Sequence, residues 1–535
     1  MSRWGRIALV IVCVLCLVVT VGCGSREATM DQPVLDSGAI RGVHTDGVWS
    51  YLGIPYAASP LGELRWRPAE PVESWKGVRV CDAYGPSCPQ EVGAVSMGPL
   101  GVGETSEDCL YLNAWSPATD PADRLPVMVW LHGGSFVSGS ASMGLYNGEN
   151  LARLGGVVVI GVNYRLGPLG FLAHPALSAE SPDRVSGNYG LMDQVSALEW
   201  VQRNVACLGG DPERVTVFGE SAGAMSILHL MVMPRAEGLF HRAILQSAVL
   251  LEEGFGGLTG VDLATAETAG AELILRLGVG RDDPAAMRSV SPEELLAATS
   301  ALPTDFLSDG LSLAPVVDGV VVPLSVSRAF AAGMQHEVAL ILGSNADEGN
   351  TFLSWMEGME EENYCAWARG LFGPWADEVL AMYPCGDAER NISSISRMLT
   401  ELGFAATARY VTESQVRTKE SPVYLYEFTR VPLQIALPGA PQGAFHGLEL
   451  PYVFGQAALF GVVDPVDLAL SERIMEMWTR FAATGDPNPP GDELWPRYTA
   501  ATAHYLELGD KIVVGSRLYE EAYELSCRIR EAGLQ

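Results

Sequence analysis

Val215-Thr216-Val217-Phe218-Gly219-Glu220-Ser221-Ala222-Gly223-Ala224-Met225 (VTVFGESAGAM) is the stretch that decides the fold. Its β-branched and aromatic start predicts a short buried strand over 215–218. Ala222 to Met231 reads as a helix. Between them stands Gly219-Glu220-Ser221-Ala222-Gly223, a G-x-S-x-G string in a strand–turn–helix setting. Gly219 and Gly223 suit a strained turn at which strand and helix approach closely. Such a turn lifts the Ser221 hydroxyl clear of the backbone, which makes it a candidate nucleophile. In a chain with 58 glycines the string alone occurs by chance, and it is the flanking elements that give it meaning.

Outward from this turn the text alternates. Val127 to His132 (VMVWLH), Val157 to Tyr164 (VVVIGVNY) and Ala243 to Gln246 predict strands. Leu191 to Asn204 predicts a helix, with Leu191, Val195, Leu198 and Val201 near helical spacing. Alternating strands and helices give a mostly parallel sheet covered on both faces, an α/β fold. Thr265 to Leu277, Pro292 to Thr299 and Tyr364 to Thr412 read as helical, with strands at Val338 to Gly343 and Pro422 to Phe428. Leu470 to Thr484 is amphipathic, with Ser471 as N-cap and Gly485 as stop. Short strands follow at Tyr505 to Leu508 and Ile512 to Val514. The expected organisation is one α/β body carrying a helical insertion.

A serine nucleophile needs a base, and the base an orienting acid. Five histidines follow the turn: His229, His241, His336, His446 and His504. His446 lies in a Gly/Pro-rich loop (PGAPQGAFHGLELPYVFG) after the strand at 422–428, where a strand-end loop would carry it to the site. For the acid, the strand at 338–343 feeds Ser344-Asn345-Ala346-Asp347-Glu348-Gly349, and Asp347 and Glu348 are both candidates. An oxyanion needs backbone N–H donors. His132-Gly133-Gly134-Ser135-Phe136 follows a strand and resembles the H-G-G-G loop of lipases and esterases, while Ala222 supplies a further N–H.

Composition narrows the function. With 535 residues, 48% hydrophobic and 18% charged, the chain has the make-up of a folded body rather than a disordered tail. The net charge of -30 argues against nucleic acid and against electrostatic docking on anionic lipid. Arg3 and Arg6 precede an apolar run, Ile7 to Val21, which is short of the roughly 20 residues of a spanning helix. This reads as a secretory signal over 1–22. Thr20-Val21-Gly22-Cys23 resembles a bacterial lipoprotein box, so Cys23 is expected to carry lipid, with a tether over 23–42 and the body over 43–535. The C-x-x-C string at Cys13 and Cys16 falls inside the apolar run and has no redox or zinc meaning there. Seven cysteines lie beyond Cys23, and export permits disulfides. No Cys/His set has metal-ligand spacing, and no metal or cofactor is expected.

Taken together, the motifs resemble the type-B carboxylesterases, the cholinesterase-like branch of the α/β-hydrolases. The resemblance runs from about Val43 to the C-terminus through YLGIPYA (51–57), SEDCLYLN (106–113), HGGSF (132–136), NYRLGPLGFL (163–172), GNYGLMDQ (187–194), GGDPERVTVFGESAGA (209–224) and FHGLELPYVFG (445–455). It implies an α/β-hydrolase fold and a serine esterase with a small-molecule ester substrate. It implies Ser221 as nucleophile, His446 as base and Glu348 as acid. It places the oxyanion donors on Gly134, Ser135 and Ala222, with Ser135 departing from the third glycine of many members. It gives Glu220 a charge role beside the histidine, and it implies a Cys88–Cys109 disulfide. Cys365 and Cys385 stand at a similar spacing and could pair, and Cys207 reads as buried and free. The 89–108 loop holds no Trp, Tyr or Phe to receive a quaternary ammonium, so short-chain carboxylic or aryl esters are expected rather than choline esters.

Overall fold

A computed structural model describes residues 29–91, 101–250, 261–280, 283–300, 313–356, 361–437 and 439–534. The expected signal over 1–22, Cys23 and the first part of the expected tether lie outside the described residues. The apolar runs become strands of an 11-stranded sheet. These are β1 (Val43–Thr45), β2 (Val48–Pro55), β3 (Tyr111–Ser116), β4 (Leu125–Leu131), β5 (Val158–Val162), β6 (Gly210–Glu220), β7 (Arg242–Gln246), β8 (Ala339–Asn345), β9 (Val423–Phe428), β10 (His504–Leu508) and β11 (Ile512–Ser516). Their order across the sheet is β1-β2-β3-β5-β4-β6-β7-β8-β9-β10-β11. From β5 to β10 every pairing is parallel, while β1 to β3, the β3–β5 pairing and β11 are antiparallel.

Strand periodicity divides the core between the two faces. Val127, Val129 and Leu131 of β4 enter one apolar cluster, and Met128 and Trp130 enter the other. Both faces of β4 are therefore buried, as its unbroken apolar text requires. On the first face lie α1 (Tyr189–Asn204) and α2 (Ala222–Leu230); on the second, α8 (Pro465–Thr484) contributes Ile474, Trp478 and Phe481. The insertion is real and comes in two parts, one after β7 and one after β8. The first holds α3 (Leu263–Arg276) and α4 (Pro292–Ser300). The second holds α5 (Glu361–Phe372), α6 (Ala388–Met398), a π-helical segment Leu399–Ala405 and α7 (Ala406–Thr418). Both leave from carboxyl ends of parallel strands, so they rise from one edge of the sheet. This is the α/β-hydrolase fold.

Three local expectations need correction. The packed body begins at about Met30, not at 43. Leu35 and Ile40 are core residues, the Tyr51 hydroxyl donates to the Met30 carbonyl, and Ala39–Arg41 pairs with Val78–Val80. Within the described residues, then, the expected tether is part of the fold. The cap of α8 is Asp464, whose carboxylate accepts the Val466 N–H at 2.8 Å, with Pro465 opening the helix. Ser471 sits inside α8 and donates to the Tyr452 carbonyl at 2.8 Å. Periodicity from Leu470 hid the earlier start because Val466 and Leu468 face solvent. Cys207 is free but only half-buried, its thiol donating to the Val34 carbonyl. Cys88 pairs with Cys109 and Cys365 with Cys385.

Candidate active site

β4 and β6 are parallel neighbours, with Leu131 abreast of Gly219. Both strands end at the same edge, where the strand order switches around β4, and such points are where α/β sheets open a crevice. The chain leaving β6 turns at Ser221 with φ 54° and ψ -123°, a left-handed backbone that costs an L-residue energy. The turn is held by the Ser221 N–H donating to the Gln246 carbonyl at 2.9 Å, and α2 then starts at Ala222. Glycines are required on either side by closeness. A Cβ on Gly219 would lie 2.7 Å from the Gly223 carbonyl carbon and 2.8 Å from the Leu131 oxygen, and one on Gly223 would overlap Leu131 O. The two glycines let α2 and β4 meet backbone to backbone.

The chain leaving β4 forms the facing loop. Gly134 has φ 110°, Ser135 φ 54° and Phe136 φ 62°, and the turn is closed by the Val137 and Ser138 N–H groups on the Gly134 carbonyl. Gly133 packs against Glu220 and the Ser221 Cβ, where a side chain would collide. His132 anchors the loop from below. It is buried and stacked on Tyr164 at 4.5 Å, and burial pushes its pKa down to about 4 despite its bond to the Gly133 carbonyl. Among the described residues no protein group accepts the N–H of Gly134, Ser135 or Ala222. Three donors are thus left for something else.

The loop after β8 begins the helical turn at Glu348, which is fully buried. Glu348 Oε2 lies 2.5 Å from His446 Nδ1; Oε1 accepts the Ser247 hydroxyl at 2.5 Å and the Asn345 N–H at 2.7 Å. Of the two acids left open by the sequence, Asp347 turns elsewhere. Its carboxylate accepts the Ala444 N–H at 2.8 Å and so fixes the loop that carries His446. On the other side of the imidazole, Glu220 Oε1 lies 3.0 Å from Nε2, too oblique for a hydrogen bond. Burial alone would lower the His446 pKa, but the charges of Glu220 and Glu348 outweigh it and hold the imidazole well above its usual range. Phe352 and Phe404 pack on the ring at 5.1 and 5.0 Å, Phe404 coming from the π-helical segment. The other histidines after the turn are elsewhere: His229 is buried on the Met225 carbonyl, His336 bonds the Met233 carbonyl, His241 lies beside the Val215 N–H and His504 is on β10.

The sequence reading missed several residues here. Ser247 ends β7 as Ser221 ends β6, with φ 55°, and it is buried. Glu449, one turn beyond His446, is buried. It accepts from Asn345 at 2.6 Å and Gln246 at 3.0 Å, and burial with the charges of Glu220 and Glu348 pushes its pKa up to about 7. The one available signal for Ser247 was its position at a strand end beside the turn. Among the described residues no cluster of His, Cys, Asp or Glu could hold a metal ion. The arrangement offers a strained hydroxyl, unclaimed N–H donors beside it and a carboxylate-held imidazole, which are the parts needed for acyl transfer.

Known proteins share this plan. The sequence profile described as Carboxylesterase family matches residues 32–526. The chain is 38% identical over 488 residues to a fumonisin B1 esterase of Sphingopyxis macrogoltabida, covering 88% of this chain and 86% of that protein. It is 36% identical over 487 residues to the para-nitrobenzyl esterase of Bacillus subtilis (strain 168), covering 89% and 94%. A solved structure of a thermophilic PNB esterase superposes with a TM-score of 0.81 at 33% identity, over 93% of this chain and 100% of that one.

Proposed function

We propose that this chain, which belongs to the carboxylesterase family and is a carboxylic ester hydrolase, cleaves short-chain carboxylic or aryl esters through an acyl-enzyme on Ser221. Ser221 Oγ attacks the ester carbonyl carbon while His446 Nε2 takes its proton. The N–H groups of Gly134, Ser135 and Ala222 receive the oxyanion, and Glu348 holds the imidazolium. The tetrahedral adduct collapses, and His446 returns the proton to the departing alcohol. Water then attacks the acyl carbon, again giving its proton to His446, and the carboxylic acid leaves as Ser221 is restored. The observation that carries this reading is the strained Ser221 beside three unclaimed N–H donors, with Glu348 bonded to His446 at the same edge. The relative named para-nitrobenzyl esterase supports a carboxylic ester whose alcohol part carries an aromatic ring.

The apolar run Ile7 to Val21 and the box ending at Cys23 support export and lipidation at Cys23, with the mature enzyme in the cell envelope. The test of the chemistry is a p-nitrophenyl ester series from acetate to palmitate. The expected result is turnover highest on short acyl chains and lost by at least a thousandfold in Ser221→Ala. Undiminished activity in that variant would place the nucleophile elsewhere.

A further inference from the structure

We infer that Tyr383 is a positioning residue for the base. Through its hydrogen bond to Glu401 it holds the π-helical segment in phase, so that Phe404 stays packed on the His446 ring, and the Cys365–Cys385 disulfide holds Tyr383 itself. The inference rests on the reading of His446 as base. One segment of the second insertion touches both members of the acid–base pair. On the acid's side, the Gly349 N–H donates to the Thr400 hydroxyl at 3.1 Å, and the Ser396 hydroxyl donates to the Asn350 side-chain oxygen at 2.6 Å. A Cβ on Gly349 would lie 2.2 Å from the Ser396 oxygen, so the turn after Glu348 meets this segment backbone to backbone. On the base's side, Phe352 from the acid's own turn stacks on Phe404 at 5.7 Å, and the two lie 5.1 and 5.0 Å from the imidazole. With those three distances the phenyl rings pack on one side of the imidazole and do not sandwich it.

What fixes Phe404 is the phase of its helix. Leu399–Ala405 is π-helical, a wider turn than α that is rare overall and frequent at functional sites. Relaxing it to α would turn Phe404 about the axis relative to Thr400, and the segment could not then keep its contacts with both the acid's turn and the base. Glu401, inside the segment, ties that phase to the outside. Its carboxylate accepts the buried Tyr383 hydroxyl at 2.9 Å and pairs at 3.1 Å with Arg397, whose guanidinium lies over the Tyr383 ring. Tyr383 is held in turn. The Tyr364 hydroxyl donates to its carbonyl at 2.8 Å, and the disulfide joins Cys365, next to Tyr364, to Cys385, two residues beyond Tyr383. The line of contacts thus starts at a covalent clasp on α5 and ends on the imidazole.

The test is p-nitrophenyl acetate hydrolysis by the full chain. Tyr383→Phe keeps the ring and removes the bond to Glu401. It is expected to lower kcat by about tenfold and to move KM by less than about twofold, because the ester still binds while the base is misplaced. The downfield proton resonance of the 2.5 Å His446–Glu348 bond should broaden with it, and a sharp, unmoved resonance beside a lowered kcat overturns the positioning of the base. Glu401→Leu breaks the same bond from its more exposed end and should match Tyr383→Phe. Glu401→Gln keeps an acceptor for the hydroxyl and should stay within about twofold of the native kcat; a loss as large as that of Glu401→Leu overturns the role of the hydrogen bond. Added to Phe404→Leu, or to Cys365→Ala with Cys385→Ala, Tyr383→Phe should cost no more than about twofold further. Losses that multiply with Phe404→Leu overturn the route through Phe404, and losses that multiply with the cysteine pair overturn the clasp. A native kcat in Tyr383→Phe and Glu401→Leu overturns the inference even where Tm falls, since a bond that only stabilises the insertion leaves kcat alone. Failure of the serine-esterase reading looks different: turnover by the native chain would be absent or would survive Ser221→Ala.

Discussion

Glu220 faces His446 across 3.0 Å, and that proximity sets a sign. As the proposed base, His446 must be neutral to act, yet its two carboxylate neighbours raise its pKa well above the ordinary value. Activity is therefore expected to rise with pH through the His446 titration. Glu220→Gln removes one of the two charges, so the acid limb of kcat/KM should move to lower pH. An unmoved limb would mean that Glu220 does not act on His446 through its charge. Gly223 makes a steric prediction at the same scale. Its added Cβ would meet the Leu131 carbonyl in two backbones that cannot separate without opening the sheet, so Gly223→Ala should cost about 3 kcal/mol, read by denaturant unfolding.

Helix α8 shows how an element's start is set by polar chemistry rather than by its apolar face. Asp464→Ala should lose about 1 kcal/mol through the orphaned Val466 N–H, measured by thermal melting. The cap escaped the sequence reading because Val466 and Leu468 break the periodicity with solvent-facing apolar residues. The strands were more legible. Val127 to Leu131 and Val158 to Val162 are buried on both faces, so their text is nearly continuous and admits few alternatives. Ser221, His446 and the Gly134 loop were legible as candidates because each follows such a strand and carries a distinctive residue. Ser247 and Glu449 could not, since their meaning comes from partners about 100 and 200 residues away. Met30 to Arg41 failed for a related reason: the segment is short and irregular, and its burial is decided by Tyr51 and Asn204.

At the scale of the whole molecule, buried acids tie stability to pH. Burial pushes Glu427 up, the Tyr519 hydroxyl partly restrains it, and the charges of Glu507, Asp347 and Glu401 add to the rise, reaching about 7. The unfolded carboxyl ionises near its ordinary value of 4.5. Between those values the folded chain binds the extra proton, so stability is full below about 4.5 and falls as pH rises through about 7. Glu427→Gln keeps an acceptor for Tyr519 and removes the titration. Relative to the native chain it should gain up to about 3 kcal/mol between pH 5 and pH 8 in urea unfolding. The separation of the catalytic parts along the chain has a further consequence, in time. Glu348 and His446 are 98 residues apart, and His446 comes 225 residues after Ser221. During synthesis the serine emerges long before its base, and α8, β10 and β11 follow later still. A nascent chain holds no complete site of the proposed kind, so hydrolysis is expected only after β11 has been made, and the first turnover would itself be a signal that folding has finished.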